Sequence, residues 1–188
     1  MGRVDYSRKT IHPGELYLTR KPCRIATLLG SCVAVTVHDR KLQYGGMNHF
    51  MLPTGTRRNR DKNDFRYGDI STRELFDKML RLGSERGDLV VKLFGGGMVV
   101  PALEKADIGK KNVQTARDII SEYNLEVEKE FVRPRHGLKI IFNNHTNKVL
   151  VKNIKKEEKL EKDLETREEK ITNILSDIPG VEKNEFEK

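Results

Sequence analysis

Thr27-Leu-Leu-Gly-Ser-Cys-Val-Ala-Val-Thr-Val-His38, followed after a polar turn by Gly45-Gly-Met-Asn-His-Phe-Met-Leu-Pro53, decides the reading of this chain. Both runs are short and apolar, and the first is broken at Gly30-Ser31, which predicts neighbouring strands rather than helices. If they are antiparallel and joined by Asp39-Arg-Lys-Leu42, pairing His38 with Gln43 carries the register on to Cys32 opposite His49. Directly opposed residues hold their β-carbons about 4.5–5.5 Å apart, within the span of a sulfur–imidazole contact. A slip of one residue would send the two side chains to opposite faces. A thiol beside an imidazole is the minimum equipment for covalent acyl transfer: the imidazole takes the thiol proton and later returns one to the leaving group. The Gly30-Ser31-Cys32 backbone can also aim an N–H at a developing oxyanion. In the same positions a cysteine is equally a small core hydrophobe and a histidine a structural residue.

Outward from these strands, residues 3–25 have strand character punctuated by Pro13, Gly14 and Pro22. Arg57–Arg66 is charged and aperiodic and reads as an exposed loop. Ser71 and Glu74 form a Ser-x-x-Glu capping pattern, and Leu75, Phe76, Met79 and Leu80 follow at helical spacing until Gly83. Leu89–Phe94 predicts a buried strand running into Gly95-Gly-Gly97, and a second amphipathic helix follows Gly109 with Val113, Ala116, Ile120 and Tyr123 inward. Leu138–Phe142 and Lys148–Lys152 predict a hairpin about Asn143–Asn147. The prediction is therefore an α+β domain over 1–153, with a packed, sandwich-like β-sheet core and helices outside. Residues 154–188 change character: Lys and Glu alternate with Leu160, Leu164, Ile171 and Ile174, which predicts a charged, largely solvated helix and a frayed end.

Composition narrows the function. No apolar run approaches the roughly 20 residues that cross a bilayer, and the N-terminus lacks a hydrophobic signal region, so a cytoplasmic location without membrane insertion is expected. Two cysteines, Cys23 and Cys32, make neither a disulfide framework nor a zinc site, and no histidine pair has ligand spacing, so no metal is expected. Residues 1–154 carry 28 basic and 17 acidic side chains, against 8 and 11 in residues 155–188. A basic body points to an acidic partner. The basic loop has Phe65 as its single aromatic, without the interleaved stacking residues of single-strand nucleic-acid binders, so an acidic protein surface is expected instead. Gly95-Gly-Gly97 lacks the Gly-Lys-Ser/Thr ending of a phosphate-binding loop and reads as a tight strand exit.

Five stretches in order, Leu29–Val35, Gly46–Pro53, Lys92-Leu-Phe-Gly-Gly-Gly-Met98, Ile108-Gly-Lys-Lys-Asn112 and the Gly137–Lys152 hairpin, give the chain its resemblance to the CheD family, the chemoreceptor glutamine deamidases of chemotaxis. The resemblance implies a protein-glutamine glutaminase that converts receptor Gln to Glu through a cysteine thioester, without cofactor. It implies Cys32 as nucleophile, His49 as general base, and a core like the deamidase domain of cytotoxic necrotizing factor toxins. It further implies chemoreceptors as protein substrates and a CheC-like phosphatase as a partner, the alternative being a non-catalytic adaptor for that phosphatase. The family's third catalytic residue is a Thr six positions before the cysteine, where this chain has Ala26; Thr27 is the candidate, although a regular strand sends adjacent residues to opposite faces. Ser31, Asn48 and Asn112 are the expected substrate contacts, with turn shaping the alternative for Ser31 and helix capping for Asn112. Arg133, Arg135 and His136 occupy a segment where the family is glycine-rich, and are expected to face either substrate or solvent.

Overall fold

The chain changes sheet at Gly30-Ser31-Cys32. In the computed structural model, which describes residues 5–55, 64–98 and 107–154, the strand before this break is β3 (Cys23–Leu29) and the one after it is β4 (Val33–Asp39). β3 lies in a four-stranded sheet with β1 (Ser7–Thr10), β8 (Gly137–Asn143) and β9 (Val149–Ile154), in the order β1-β3-β8-β9. β4 lies in a five-stranded sheet with β2 (Glu15–Thr19), β5 (Tyr44–His49), β6 (Leu89–Gly95) and β7 (Val127–Val132), in the order β2-β5-β4-β6-β7.

Burial explains the layering. β3 alternates, with Cys23, Ile25, Thr27 and Leu29 buried and Arg24, Ala26 and Leu28 turned toward solvent, as a strand with one covered face must. β4 and β6 are buried along their whole length because both of their faces are covered. On one side, Ala34 and Met47 meet Ile25, Leu29, Leu138 and Phe142 of the other sheet. On the other, Val33, Val35, Val37 and Phe50 pack under α1 (Gly68–Arg81) and α2 (Ile108–Glu122) through Phe76, Met79, Val113 and Ile119. The architecture is α+β, two packed sheets with helices outside.

Three details depart from the sequence reading. Helix α1 begins before Ser71: Tyr67 is its N-cap without a side-chain bond, and the Ser71 N–H already donates to the Tyr67 carbonyl at 2.9 Å, so the Ser71–Glu74 capping pattern lies inside the helix. β7 pairs in parallel with β6 across α2, so a crossover unit stands among the expected hairpins. Its Val-Glu-Lys-Glu-Phe-Val sequence hides it, since an exposed edge strand needs no apolar alternation. Finally, the β4–β5 register pairs Asp39 with Tyr44 and His38 with Gly45, two residues from the expected pairing, because Gln43 is consumed in the turn at φ 56°. Most of the basic loop (56–63) and the 155–188 segment lie outside the described residues.

Candidate active site

The turn that carries Cys32 is tied down at three successive carbonyls. The Gly97 N–H donates to the Gly30 carbonyl at 2.8 Å and the Gly96 N–H to the Cys32 carbonyl at 2.8 Å. Between them the Asn112 side-chain amide donates to the Ser31 carbonyl at 3.1 Å. A trans peptide points its C=O and N–H in opposite directions, so anchoring the Ser31 carbonyl on Asn112 turns the Cys32 N–H to the other side. The glycine loop can do this only as glycine: Gly95 and Gly96 sit at φ 101° and 63°, and a β-carbon on Gly95 would lie 2.3 Å from the Cys32 carbonyl oxygen. Arg133 braces the loop from outside, donating from Nη1 to the Gly96 carbonyl at 3.0 Å and pairing with Asp107 at 2.7 Å. Asp107 also accepts from the Lys110 N–H as the N-cap of α2, so one guanidinium links the helix start to the loop that bonds the Cys32 turn. The sequence carried no signal of this brace; Arg135 and His136 are exposed.

His49 ends β5. The observed register runs on to the Val33–Phe50 bridge, where each N–H donates to the other carbonyl at 3.0 Å. Cys32 and His49 are each the residue preceding a member of this bridged pair, so they share a face as diagonal rather than direct neighbours. The two-residue register shift preserves the face, because the period of a strand is two. Diagonal neighbours have α-carbons about 7–8 Å apart with β-carbons closer, a gap that an imidazole and a thiol reach across. Cys32 belongs with the inter-sheet residues Ala34, Met51 and Leu52, while Val33 belongs to the helix side. His49 is fully buried, and Ser31 and Cys32 each expose 4% of their surface.

Thr27 reaches His49 from the other sheet. Its hydroxyl lies 2.7 Å from His49 Nδ1 and donates to the Ile11 carbonyl at 2.8 Å. A hydroxyl has one proton, and the carbonyl can only accept, so that proton goes to Ile11. The Thr27 oxygen must then accept from His49 Nδ1–H, which makes Nε2 the basic nitrogen of the neutral ring. Strand parity explains why Thr27 and not Ala26 reaches the imidazole: Thr27 is on the covered face of β3, Ala26 on the open one.

The expected substrate contacts are placed differently. Asn48 is fully buried, its Oδ1 accepting from the Val35 N–H at 2.8 Å and its Nδ2 donating to Thr72 at 3.2 Å, so the side chain patches the β4–β5 ladder. Asn112 is fully buried and donates to the Met51 carbonyl at 3.0 Å as well as to Ser31. Both side chains hold backbone in place, Asn48 through the Val35 N–H and Asn112 through the Ser31 and Met51 carbonyls, and neither is exposed to solvent. For Asn112 the capping alternative is corrected, since Asp107 caps α2. Ser31 stays in the turn next to the thiol. Buried His38 is separate from the site: it bonds the Asn144 carbonyl at 2.9 Å, and its pKa lies below the ordinary histidine value, chiefly through burial.

A family model described as CheD chemotactic sensory transduction matches residues 51–153. The chain belongs to the CheD family. It is 40% identical over 153 residues to a probable chemoreceptor glutamine deamidase CheD of Thiobacillus denitrificans, covering 80% of this chain and 76% of the relative. It is 35% identical over 157 residues to the protein of the same name from Sulfurimonas denitrificans, covering 82% of this chain and 99% of that one. The CheD match takes in the glycine loop, the start of α2 and the β8–β9 hairpin; Thr27, Cys32 and His49 precede it. Among the described residues no helix is long and apolar enough to cross a membrane.

Proposed function

We propose that this CheD-family protein is a cysteine-dependent glutaminase that deamidates Gln side chains of chemoreceptors. The observation that carries the mechanism is the Thr27 hydroxyl, which gives its proton to Ile11 and thereby holds His49 with Nε2 as base on the Cys32 face of the sheet. In the first half-reaction Nε2 takes the Cys32 proton, and the sulfur attacks the carboxamide carbon of the glutamine. The Cys32 N–H, turned away from the anchored Ser31 carbonyl, is the assigned donor to the tetrahedral oxyanion. Collapse expels ammonia, which takes the proton from Nε2, and leaves a thioester. In the second half-reaction Nε2 deprotonates water, the hydroxide attacks the thioester, and sulfur leaves with a proton as the glutamate is released.

The names of the relatives support receptors as substrates. The excess of 28 basic over 17 acidic side chains in residues 1–154 supports docking on an acidic protein surface. The test is incubation with receptor cytoplasmic fragments, followed by mass spectrometry for the exchange of amide nitrogen for oxygen at single glutamines. Wild type should show the exchange and Cys32→Ala should lose it by more than about 10⁴-fold, because nucleophile and base act as a unit. Retained exchange in Cys32→Ala refutes the mechanism. Receptor or CheC-like phosphatase binding by the wild type without any exchange would instead identify a non-catalytic adaptor.

A further inference from the structure

Among the described residues, the four-stranded sheet has an uncovered face. The register puts Thr10, Ala26, Ile141 and Leu150 in one row across its four strands. Arg8 and Arg24 form the row on one side, and Leu28, Lys139 and Lys152 the row on the other. The residues between these positions, Ile25, Thr27, Leu138, Ile140 and Phe142, are buried in the inter-sheet core, so the rows point outward. A groove of about 510 Å³ runs over this face, and Leu150 is 69% exposed. An apolar strip flanked by basic side chains, with no carboxylate on these rows, marks an interaction surface.

The chain itself supplies a complementary segment. Residues 157–169 hold seven acidic and three basic side chains, and Leu160, Leu164, Ile171, Ile174 and Ile178 recur at helical spacing. We propose that this acidic amphipathic segment, residues 157–178, docks on the outer face of the four-stranded sheet, placing its leucines and isoleucines over Ala26, Leu28, Ile141 and Leu150 and its glutamates beside Arg8, Arg24 and Lys139. β9 ends at Ile154, four residues after Leu150, so the segment leaves from the margin of the patch. The short connection gives it an effective concentration on the order of millimolar, which any separate acidic partner must outcompete. A helix of this length spans about 33 Å, whereas the outer strands of a four-stranded sheet stand about 14 Å apart, so it can cover the strip. A second copy of the same face is disfavoured, since pairing would set arginine and lysine rows against one another.

The experiment uses the full chain as an equimolar mixture of ¹⁴N- and ¹⁵N-labelled protein, treated with a carbodiimide that joins touching lysines and carboxylates. The expected product links Lys139 to a carboxylate within 157–169, both peptides carrying the same isotope. Ile141→Glu with Leu150→Glu should reduce its yield about tenfold, and so should Leu164→Asp with Ile171→Asp, which leaves the described domain unaltered. Links of which about half are mixed in isotope, the share that random pairing of an equimolar mixture gives for contacts between chains, would show a second copy on the face and overturn the proposal. So would Lys139 links no more frequent than those from Lys110 and Lys111 on α2, which would show a solvated segment or a face kept for another partner.

Discussion

The two sides of the five-stranded sheet are built from the same strands and do different work. Toward the helices β4 presents Val33, Val35 and Val37 to Phe76, Met79 and Ile119, an apolar layer in which the Asn48 amide is paired with Thr72 of α1. Toward the other sheet the same chain presents Cys32 and Ala34 to a layer that also admits Thr27 and His49. Polar groups survive there because the facing sheet brings a matching acceptor: Thr27 from β3 meets His49, and the Ile11 carbonyl beyond β1 receives the Thr27 proton. A buried hydroxyl or imidazole without such a partner would cost about 1–3 kcal/mol. The strand's period of two therefore lets one segment hold the fold with its odd-numbered valines and the candidate site with the positions between them.

Three measurements can break or sharpen this division. Phe76→Ala empties a fully buried site on the helix side and should cost about 3–5 kcal/mol in denaturant titration, while the folded fraction keeps its rate of glutamine conversion. A parallel collapse in that rate would show that the two layers are coupled. Thr27→Val should do the reverse. It leaves the His49 Nδ1–H without its acceptor, and the resulting penalty of about 1–3 kcal/mol, if felt in the transition state, lowers kcat about ten- to a hundredfold. Thr27→Ser, which retains the hydroxyl, should recover most of that loss, and failure to do so would assign Thr27 to packing.

The smallest effect concerns His38, whose pKa is lowered by burial foremost, against the opposing pull of the Asn144 carbonyl and Asp39, with Lys92 and His145 adding to the lowering. The folded state then binds fewer protons than the unfolded state as pH falls below the ordinary value of 6.5. The stabilising contribution is complete above that value and is lost as pH drops through the lowered one. Thermal midpoints should therefore decline below pH 6.5, and His38→Asn should flatten the decline. An unchanged slope would place the acid-sensitive group elsewhere.

The thiol, the imidazole and their placement on neighbouring strands were legible from apolar runs interrupted at Gly30-Ser31 and at the 39–44 turn. The register was two residues off because nothing in Gln43 announces that it will enter the left-handed region and lengthen the turn. That error left the face intact only because two is the strand's own period. Asn48 and Asn112 looked like groups offered to a substrate, and in the fold they complete backbone hydrogen bonds instead. An amide side chain has the same donors and acceptors for either purpose, so composition alone cannot separate them.

Local pattern by itself determined the apolar strands (but not β7), the two helices, the basic body and the paired candidates for covalent chemistry, since each follows from periodicity or charge counted over nearby residues. Only tertiary structure decided that Thr27 and not its neighbour meets the imidazole, that Arg133 ties α2 to the glycine loop, and that no described element covers one sheet face. These facts join residues 22, 26 and more than a hundred positions apart. Contacts at such separations are set by how sheets stack and which face each strand turns inward, information that no window of the chain contains.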